Sequence, residues 1–421
     1  MAEPRRTVTF SPPDVSPDDI DAVAEALRSG WITTGPRTKK FERAIAAKSG
    51  AARAATFSSA TMALECALRA LGIGPGDEVI TSAYTYTASC SCICHVGATP
   101  VLCDVAPGSY EMDYGQLASL VTERTRAVIP VDIAGRMVDY RALFAALEGA
   151  ARSGAWHPAG RSSLATEAEA AARRPLVLSD GAHSFGAAYD GAPSGSVADL
   201  TAFSFHAVKN LTTAEGGALA WRKGLFPDEE LYRQLMLLSL HGQTKDALAK
   251  TAAGSWEYDI AFPGYKCNMT DLQAALGLSQ LQRYDAMVAR RHAIVAAYEQ
   301  GLADLAIEVL AHEGSGSGVE APFRSSAHLM LTRLVGADEA FRNRFIEQLA
   351  DRGVAANVHY KPLPLLTAYR NLGFDAAAFP NALAQYRNEV TLPLHTSLSD
   401  EDVAYVIEAA HGAYGDAQEA R

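Results

Sequence analysis

Lys209 combines a reactive side chain with a sequence context that predicts the end of a strand. It lies in the run Ser204-Phe-His-Ala-Val-Lys-Asn-Leu-Thr-Thr-Ala-Glu-Gly-Gly217, where an apolar segment gives way to small residues. A crowded or buried amine loses its proton easily, which makes lysine a workable nucleophile towards a carbonyl carbon. A lysine considered alone is more often a surface residue, so the reactive interpretation depends on the groups near it.

Asp180 closes a second apolar run, Leu176-Val-Leu-Ser-Asp180, and His183 follows it. Burial disfavours a charged carboxylate unless an opposite charge meets it. A protonated pyridine nitrogen would supply that charge, and the carboxylate would in return keep the nitrogen protonated. The alternative is an aspartate that caps the next helix.

Two further groups follow earlier predicted strands. Ser59, Ala60 and Thr61 lie between a strand and a helix N-terminus, where backbone N–H groups and the helix dipole favour an anion. The same residue types also serve as simple N-caps. Tyr86 follows the next strand and could stack on a flat heterocycle or fill the core.

All four groups fall within one predicted α/β region. Alternating apolar and amphipathic stretches predict a sheet with helices on both faces, which binds ligands beyond the carboxyl ends of its strands. An anion cradle, an aromatic stacker, an acid and a Schiff-base amine are the groups that pyridoxal phosphate (PLP) needs. The predicted strands are Ala54–Phe57, Glu78–Thr81, Val101–Asp104, Ala127–Val131, Leu176–Asp180, Leu200–Phe205 and Ala218–Trp221, and the later predicted elements are the helices Glu339–Asp351 and Asp400–Ala410 and the extended segment Val354–Tyr360.

The chain is long enough for two hydrophobic cores, since its 421 residues exceed the size at which one core stops growing. We expect a large domain over residues 1–285, including an N-terminal arm over 1–20, and a smaller C-terminal domain over 286–421. A long helix over 270–303 would connect them. Residues 149–174 are rich in Ala, Arg, Gly and Ser and predict a solvated surface insertion.

Composition excludes several classes of protein. The net charge of −11 and the pI of about 5.5 are opposite to the basic field of a nucleic-acid binder. The first residues lack the apolar core of a secretory signal and no apolar run is long enough to span a bilayer, so we expect a cytoplasmic enzyme. We expect small buried thiols, and neither a metal site nor a disulfide framework, from Cys66, Cys90, Cys92, Cys94, Cys103 and Cys267.

The motifs together resemble the DegT/DnrJ/StrS family of aminotransferases, which mostly act on nucleotide-linked keto sugars. The similarity runs nearly from end to end, and so many motifs in the right order make coincidence very unlikely. They are Gly30-Trp-Ile-Thr-Thr-Gly-Pro36, Ser58-Ser-Ala-Thr61, Gly72-Ile-Gly-Pro-Gly-Asp-Glu-Val79, Gly97-Ala-Thr-Pro100, Ser204-Phe-His-Ala-Val-Lys-Asn-Leu211, Pro263-Gly-Tyr-Lys-Cys-Asn-Met-Thr-Asp-Leu-Gln273, Val358-His-Tyr-Lys-Pro362 and Leu392-Pro-Leu-His395.

The resemblance implies an aspartate-aminotransferase-like fold (PLP fold type I), with a large mixed sheet flanked by helices and a smaller C-terminal α/β domain. It also implies PLP and a homodimer with active sites at the subunit interface. Lys209 would carry PLP as a Schiff base and Asp180 would meet the ring nitrogen. The other implied cofactor contacts are Tyr86 on the ring, His183 near its hydroxyl, and Ser59, Ala60, Thr61, Ser204, Asn210 and Lys266, while the implied substrate contacts are Trp31, Thr33, Thr34, His328, His359 and Lys361.

The implied reaction moves an amino group from L-glutamate to a nucleotide-linked keto-deoxy sugar, with a 4-keto sugar favoured over a 3-keto sugar. Asn268 stands where many members have arginine, which leaves recognition of the donor carboxylate open. Sugar dehydratases of the same fold have histidine in place of the lysine, so Lys209 argues against them. The alternatives are a glutamine-dependent aminotransferase of a cyclitol or other cyclic ketone and a non-catalytic PLP-binding regulator.

Overall fold

The computed structural model describes residues 6–158, 163–244, 257–315 and 321–419, and the following elements belong to that part of the chain. The strands are β1 Arg53–Phe57, β2 Glu78–Ser82, β3 Thr99–Cys103, β4 Thr125–Ile129, β5 Leu176–Asp180, β6 Ala188–Tyr189, β7 Ala192–Pro193, β8 Leu200–Ser204, β9 Gly217–Trp221, β10 Ile307–Val309, β11 Glu313–Gly314, β12 Phe323–Arg324, β13 Met330–Leu334 and β14 Glu389–Leu392. The helices are α1 Pro17–Arg28, α2 Pro36–Ser49, α3 Ala60–Ala70, α4 Ala88–His95, α5 Tyr114–Leu120, α6 Tyr140–Arg152, α7 Ser163–Ala172, α8 Asp228–Ser239, α9 Asp271–Gly301, α10 Glu339–Asp351, α11 Thr367–Asn371, α12 Pro380–Asn388 and α13 Asp400–Glu419.

Within the described ranges, seven strands form one mixed sheet in the order β1-β9-β8-β5-β4-β2-β3. β9 pairs antiparallel with β1 and β8, and the other pairs are parallel. The carboxyl ends of every strand except β9 therefore lie at one edge. β2, β4 and β5 are buried along their full length, as expected for strands covered on both faces. The predicted strands of this sheet are confirmed, with bounds that differ by at most two residues.

The long helix α9 connects two hydrophobic cores. It begins at a capping box in which Thr270 and Gln273 each accept a hydrogen bond from the other's backbone N–H. Val288 packs into a core beside the seven-stranded sheet, and Ile294 packs into the core of the smaller domain. The chain thus passes from one core to the other in less than two helical turns. Although α9 is long, no helix in the described ranges is apolar enough over a sufficient length to cross a membrane.

The smaller domain is built on the antiparallel sheet β10-β13-β14, against which α10 and α13 pack. The predicted helix α10 has the expected bounds, and α13 extends the predicted helix to Glu419 because the apolar face continues through Ala413 and Ala417. The segment predicted to be extended after α10 makes only isolated bridges in the described structure, from Val354 to Val8 and from Asn357 to Thr391. This segment therefore joins the sheet briefly and then leaves it.

The described part of the predicted insertion, residues 149–158 and 163–174, is partly helical and packed, which differs from the solvated surface loop that the composition of residues 149–174 predicted. α6 continues into this segment and α7 lies within it. Trp156 is buried and Ala168 joins the core next to β5. Glu169 forms a buried ion pair with Arg126 on β4. Alanine favours helix, and its small side chain allows α7 to approach the sheet closely, so the alanine-rich composition indicates a packed helix here.

The cysteine side chains pack as small apolar groups. Burial confirms this expectation for Cys66, Cys90, Cys92, Cys103 and Cys267, while Cys94 is partly exposed.

Candidate active site

A cavity of about 430 Å³ lies at the carboxyl edge of the seven-stranded sheet. Residues at or after the ends of β1, β2, β5 and β8 line it, together with Asn357, His359 and Tyr360 of the smaller domain. The sheet therefore brings distant parts of the sequence to one place, as its predicted topology requires. The predicted site residues that line this cavity are Ser59, Ala60, Thr61, Tyr86, Asp180, His183, Ser204, Lys209, His328 and His359.

Asp180 is the last residue of β5, and its buried carboxylate faces the cavity. The Ser89 hydroxyl donates to Oδ2 at 2.6 Å, and the Ala182 N–H donates to Oδ1 at 3.2 Å. Burial raises the pKa of Asp180, while these hydrogen bonds and the charge of Lys209 oppose that rise. A carboxylate has about four acceptor positions, so Asp180 retains capacity to accept from a group in the cavity.

Lys209 lies in a turn after β8, where its backbone N–H donates to the His206 carbonyl at 2.9 Å. Burial lowers the pKa of Lys209 to about 8, and the negative charge of Asp180 opposes the shift. A substantial fraction of this amine is therefore neutral near physiological pH, which is the form that attacks a carbonyl carbon. Because β8 and β5 are neighbours, the amine and the carboxylate face one cavity.

His183 is buried at the cavity wall, and its hydrogen bonds define its tautomer. The Ala134 N–H donates to Nδ1 at 3.2 Å, so Nδ1 carries a lone pair and the proton lies on Nε2. Burial, followed by the charge of Lys209, holds the pKa of His183 well below its usual value, so the ring is neutral. Nε2 lies 3.3 Å from the Tyr360 hydroxyl. His183 thus offers an N–H donor to this region of the cavity.

Asn210 lies behind the cavity wall and positions His328. Its Nδ2 donates to the Ser326 carbonyl at 2.7 Å, which leaves Oδ1 to accept from His328 Nδ1 at 2.9 Å. His328 is therefore protonated on Nδ1 and has a lone pair on Nε2. Burial holds the pKa of His328 well below its usual value, and its ring centroid lies 4.4 Å from that of His183. The two rings are a pair of neutral imidazoles.

The N-terminus of α3 forms another part of the wall. Ser59 is its N-cap, and the serine hydroxyl accepts from the Met62 N–H at 3.2 Å. The first N–H groups of a helix have no partner within the helix and lie at the positive end of its dipole. A Cβ at Gly217 would lie 2.3 Å from the Ala60 nitrogen, so the close approach of β9 to this helix requires glycine. This end of the cavity suits an anion.

Tyr86 follows β2 and lines the cavity with a side chain that is 60% exposed. A tyrosine with that exposure does not fill the core, so the alternative left open by the sequence is excluded. Its ring centroid lies 5.8 Å from that of Tyr360. The two rings provide flat apolar surface next to the buried polar groups.

The other predicted residues lie outside the cavity; they are Trp31, Thr33, Thr34, Lys266 and Lys361. Lys266 Nζ donates to Asn268 Oδ1 at 2.6 Å, and Asn268 Nδ2 donates to the Thr34 hydroxyl at 2.5 Å. Trp31 Nε1 donates to the Thr34 carbonyl at 3.2 Å. Trp31, Thr34, Asn268 and Lys266 thus form a second polar group, the Trp31–Lys266 cluster. Lys361 is an exposed side chain.

Several residues that the sequence did not single out also shape the cavity. Ser89 holds Asp180, and Phe10 stacks on His359 with ring centroids 5.7 Å apart. Tyr360 adjoins His359 in a quoted motif, so its position was recognisable in the sequence. Phe10 gave no comparable signal, because it reaches the cavity only through the tertiary fold.

The sequence matches the DegT/DnrJ/EryC1/StrS aminotransferase family over residues 13–150 and 162–411. It is 38% identical over 412 residues to the spore coat polysaccharide biosynthesis protein SpsC of Bacillus subtilis, covering 95% of each chain. The apo-form of the putative sugar aminotransferase Spr1654 of Streptococcus pneumoniae is 49% identical with a TM-score of 0.91, covering 98% of this chain and 99% of that one. Structures of Spr1654 also exist in a PMP-form and a PLP-form. Helicobacter pylori PseC, an aminotransferase involved in pseudoaminic acid biosynthesis, is 27% identical with a TM-score of 0.81, covering 98% of this chain and 100% of that one.

These similarities agree with the architecture of the described residues. The expected aspartate-aminotransferase-like fold, PLP fold type I, is confirmed. The unmatched stretch between residues 150 and 162 falls inside the segment 149–174 and is shorter than the expected insertion. The family match covers most of the large domain and of the smaller one. The chain belongs to the DegT/DnrJ/EryC1/StrS aminotransferase family.

Proposed function

We propose that this aminotransferase, whose cofactor is PLP, moves an amino group from L-glutamate to a nucleotide-linked keto-deoxy sugar, with the 4-keto position favoured over the 3-keto position. The observation that carries the proposal is the convergence of three features on one cavity. A half-buried amine with a lowered pKa, a buried carboxylate with acceptor capacity and a helix N-terminus all line it.

The cavity residues fit PLP group by group. Lys209 would bind the aldehyde carbon, and Asp180 would accept the proton-bearing ring nitrogen. That contact explains why a carboxylate with a raised pKa faces a cavity, since a protonated nitrogen supplies the opposite charge. His183 would donate from Nε2 to the ring hydroxyl oxygen, and Tyr86 would cover one face of the ring. The phosphate would bind at the N-terminus of α3, among Ser59, Ala60, Thr61 and Ser204.

PLP, when bound, supplies an electron sink for the charge that develops when an amino acid loses its α-proton. Lys209 is the base for that proton, because its pKa of about 8 allows the amine both to accept and to release a proton near neutral pH. Asp180 keeps its partner nitrogen protonated, and the Ser89 hydroxyl keeps Asp180 in place. His183 stays neutral and acts as a hydrogen-bond donor.

The sugar acceptor is supported by the character of the cavity beyond the PLP groups. His183, His328 and His359 are neutral there, since burial lowers the pKa of each and that of His359 falls to about 4. Neutral imidazoles and the Tyr360 hydroxyl suit the hydroxyl and carbonyl groups of a sugar. Spr1654 is described as a putative sugar aminotransferase and SpsC as a protein of spore coat polysaccharide biosynthesis, and both descriptions support the same class of acceptor.

We propose further that the chain forms a homodimer in which the Trp31–Lys266 cluster serves the partner's cavity. Large apolar side chains next to this cluster are exposed, which is typical of an interface. They are Ile32, beside Trp31 in the sequence, and Tyr265, beside Lys266. Lys266 would bring a point charge to the phosphate end of the neighbouring site. If so, mixed Lys209→Ala and Lys266→Ala chains should regain activity that each lacks alone, up to about a quarter of the wild-type rate for random dimers.

The donor is tested with purified protein and PLP in the absence of any acceptor. L-glutamate should yield a stoichiometric amount of 2-oxoglutarate and change the visible absorption of the bound cofactor. The aminated enzyme should then convert nucleotide-linked 4-keto sugars faster than 3-keto sugars. Conversion by L-glutamine alone, followed by amination of a cyclic ketone without a nucleotide, would support the cyclitol alternative. Failure with both donors would contradict the proposed reaction.

A further inference from the structure

A hydrogen-bonded chain leads from the interior of the smaller domain to the cavity. Glu389 and Thr391 lie on β14 and are buried, and His359 lines the cavity. Thr391 Oγ1 lies 2.5 Å from Glu389 Oε1 and 2.9 Å from His359 Nδ1. The His359 N–H donates to Glu389 Oε2 at 2.8 Å. Both carboxyl oxygens are therefore engaged with this chain, and its far end, His359 Nε2, is the ring nitrogen that remains for the cavity.

The backbone and neighbouring rings hold the chain in place. Thr391 and Asn357 exchange backbone hydrogen bonds of 2.8 and 3.0 Å, which fixes the segment before His359 to β14. Phe10 stacks on the imidazole with an interplanar angle of 18°. The Tyr84 hydroxyl donates to the His359 carbonyl at 3.0 Å. The separation of the imidazole from the Thr391 hydroxyl is thus set by several elements at once.

The protonation of Glu389 determines which nitrogen of His359 carries the proton. When Glu389 is ionised, Thr391 donates to it and must accept from His359 Nδ1–H, so Nε2 carries a lone pair. When Glu389 is protonated, Oε1 donates to Thr391, Thr391 donates to Nδ1, and the imidazole proton lies on Nε2. The two states differ by one proton and use the same heavy-atom positions.

We propose that Glu389, Thr391 and His359 form a proton relay that exchanges a proton between a buried carboxyl group and the carbonyl oxygen of the acceptor substrate. The acid-base atom is His359 Nε2, and Thr391 and Glu389 act through it as positioning residues. When Nε2–H donates its proton to the oxygen, Thr391 passes a proton to Nδ1 and Glu389 passes one to Thr391. Glu389 ends ionised, and a proton taken up at Nε2 from product or water reverses each transfer. The proposal deepens the aminotransferase site proposed above and rests on it for the identity of the substrate.

Proton affinities support the relay. Burial raises the pKa of Glu389 to about 8, and hydrogen bonds from Thr391 and His359 oppose the rise. Burial, followed by the charge of Lys209, lowers the pKa of His359 to about 4. The shared proton therefore lies on the carboxyl group at neutral pH. An imidazole that is a weak base alone becomes coupled to a group that titrates near the working pH, which is the condition for effective acid-base catalysis.

Charged and titratable groups from each neighbouring element face Glu389. Arg342 on α10 donates to the Glu389 backbone carbonyl at 3.4 Å. Arg333 on β13 is the register partner of Glu389 and forms an ion pair with Glu308. Three tyrosines also face Glu389; they are Tyr84, Tyr110 and Tyr360. Burial raises the pKa of each tyrosine above the usual range, and the charge of Glu389 adds to that rise. Glu389 is thus the group in this cluster that titrates near neutrality.

The hydroxyl of Thr391 is the link that can be removed with the least change of shape. Thr391→Val deletes the hydroxyl and keeps the branched side chain, whereas Thr391→Ser keeps the hydroxyl. Thr332→Val is the matched control. Thr332 lies on the adjacent strand β13, is equally buried, and donates to the Val390 carbonyl at 2.6 Å without taking part in the chain.

The decisive measurement determines which nitrogen of His359 carries the proton in cofactor-free protein. Nitrogen-15 NMR of labelled histidine monitors this tautomer as pH is varied. In the wild type the proton should move from Nδ1 to Nε2 as pH falls through about 8. The exchange should persist in Lys209→Ala, Thr391→Ser and Thr332→Val, and disappear in Thr391→Val. A single His359 tautomer across this range, or the same exchange in Thr391→Val, would overturn the relay. Because no substrate is present, this result does not depend on the proposed reaction.

Turnover gives the second readout. Thr391→Val should lower kcat for sugar amination by about 10²-fold and leave KM within a few-fold, with recovery in Thr391→Ser. Its kcat–pH profile should lose the fall in kcat above about pH 8 that ionisation of Glu389 causes, and Thr332→Val should retain that fall. An unchanged kcat and pH profile in folded Thr391→Val would contradict the catalytic role of the relay even if the tautomer exchange is observed.

Discussion

Asp132 lies just after β4 and Asp180 ends the neighbouring parallel strand β5; both aspartates are buried, yet their surroundings differ. Donors from several elements surround the Asp132 carboxylate: the hydroxyls of Tyr140, Ser179 and Ser184 and the N–H of Val138, at 3.1, 3.0, 2.8 and 3.1 Å. Asp180 accepts from Ser89 and Ala182 and faces the cavity. The same side chain at the same edge of the sheet is thus internally satisfied in one case and available to a ligand in the other.

This difference separates an internally satisfied aspartate from one that is open to a ligand better than burial does. Burial raises the pKa of both, so the electrostatic cost is of the same kind. What differs is where the remaining acceptor positions of the carboxylate lie. Asp132 uses its positions to tie β4, β5 and α6 together. Asp180 has positions left for a cation, which agrees with its proposed contact to a ring nitrogen.

The largest effect should come from the amine that shares the cavity with Asp180. Lys209→Ala should still bind PLP, because the other contacts remain, but should lose amino transfer by at least about 10³-fold. The measurement is 2-oxoglutarate release from L-glutamate together with reduction by borohydride, which should fix the cofactor to the wild-type chain alone. Retained turnover in Lys209→Ala would mean that Lys209 is not the reacting amine. The proposed pairing of Lys209 with Asp180 around one cofactor would then fail.

The same substitution should affect activity at one aspartate and stability at the other. Asp180→Asn should lower kcat by about 10²-fold or more and leave the free energy of unfolding nearly unchanged, since the amide cannot keep the ring nitrogen protonated. Asp132→Asn should lower the free energy of unfolding by about 1–3 kcal/mol, because its NH₂ group meets hydroxyl donors. Urea unfolding and steady-state kinetics of both variants test this. Similar kinetic defects in the two would break the distinction.

The stability contribution of Asp132 should depend on pH in a defined direction. Burial raises the pKa of Asp132 to about 6 in the folded state, against about 4 in an unfolded chain. Such a group contributes stability that is fully present below about pH 4 and is lost as pH rises through about 6. The difference in unfolding free energy between wild type and Asp132→Asn should therefore shrink by about 3 kcal/mol between pH 4 and pH 7. A difference that stays constant with pH would mean that Asp132 does not titrate in this range.

Much of the sheet and many of the groups that line the cavity could be predicted because their signals are local. Apolar runs of strand length gave β1 to β5, β8 and β9, and the polar residues at or after the ends of β1, β2, β5 and β8 pointed to the carboxyl edge. The distinction between Asp180 and Asp132 could not be predicted in this way. The donors of Asp132 come from two separate segments, residues 138–140 and 179–184, and only the fold brings them to one carboxylate.

The relay and the packed helix α7 show two further limits. Glu389 and Thr391 alternate on β14, so the sequence places both on one face, but their contact with His359 depends on a separate segment. For α7, the composition of residues 149–174 was dominated by small and polar residues, which suggested solvent. The buried residues of the helix are Leu164, Ala165, Ala168 and Glu169, and the carboxylate of Glu169 pairs there with Arg126 on β4. Both outcomes depend on partners distant in sequence.

The smallest expected effects come from removing one hydroxyl donor from each aspartate. Ser89→Ala deletes the donor to Asp180 Oδ2, so the pKa of Asp180 should rise further and kcat should fall by about tenfold, with little loss of stability. Ser184→Ala deletes one of several donors to Asp132 and should lower the free energy of unfolding by about 1 kcal/mol without changing kcat. Kinetics and urea unfolding of this pair measure both effects. If Ser184→Ala lowered kcat as much as Ser89→Ala did, Asp132 would be coupled to the chemistry, and the contrast between a satisfied and an available carboxylate would fail.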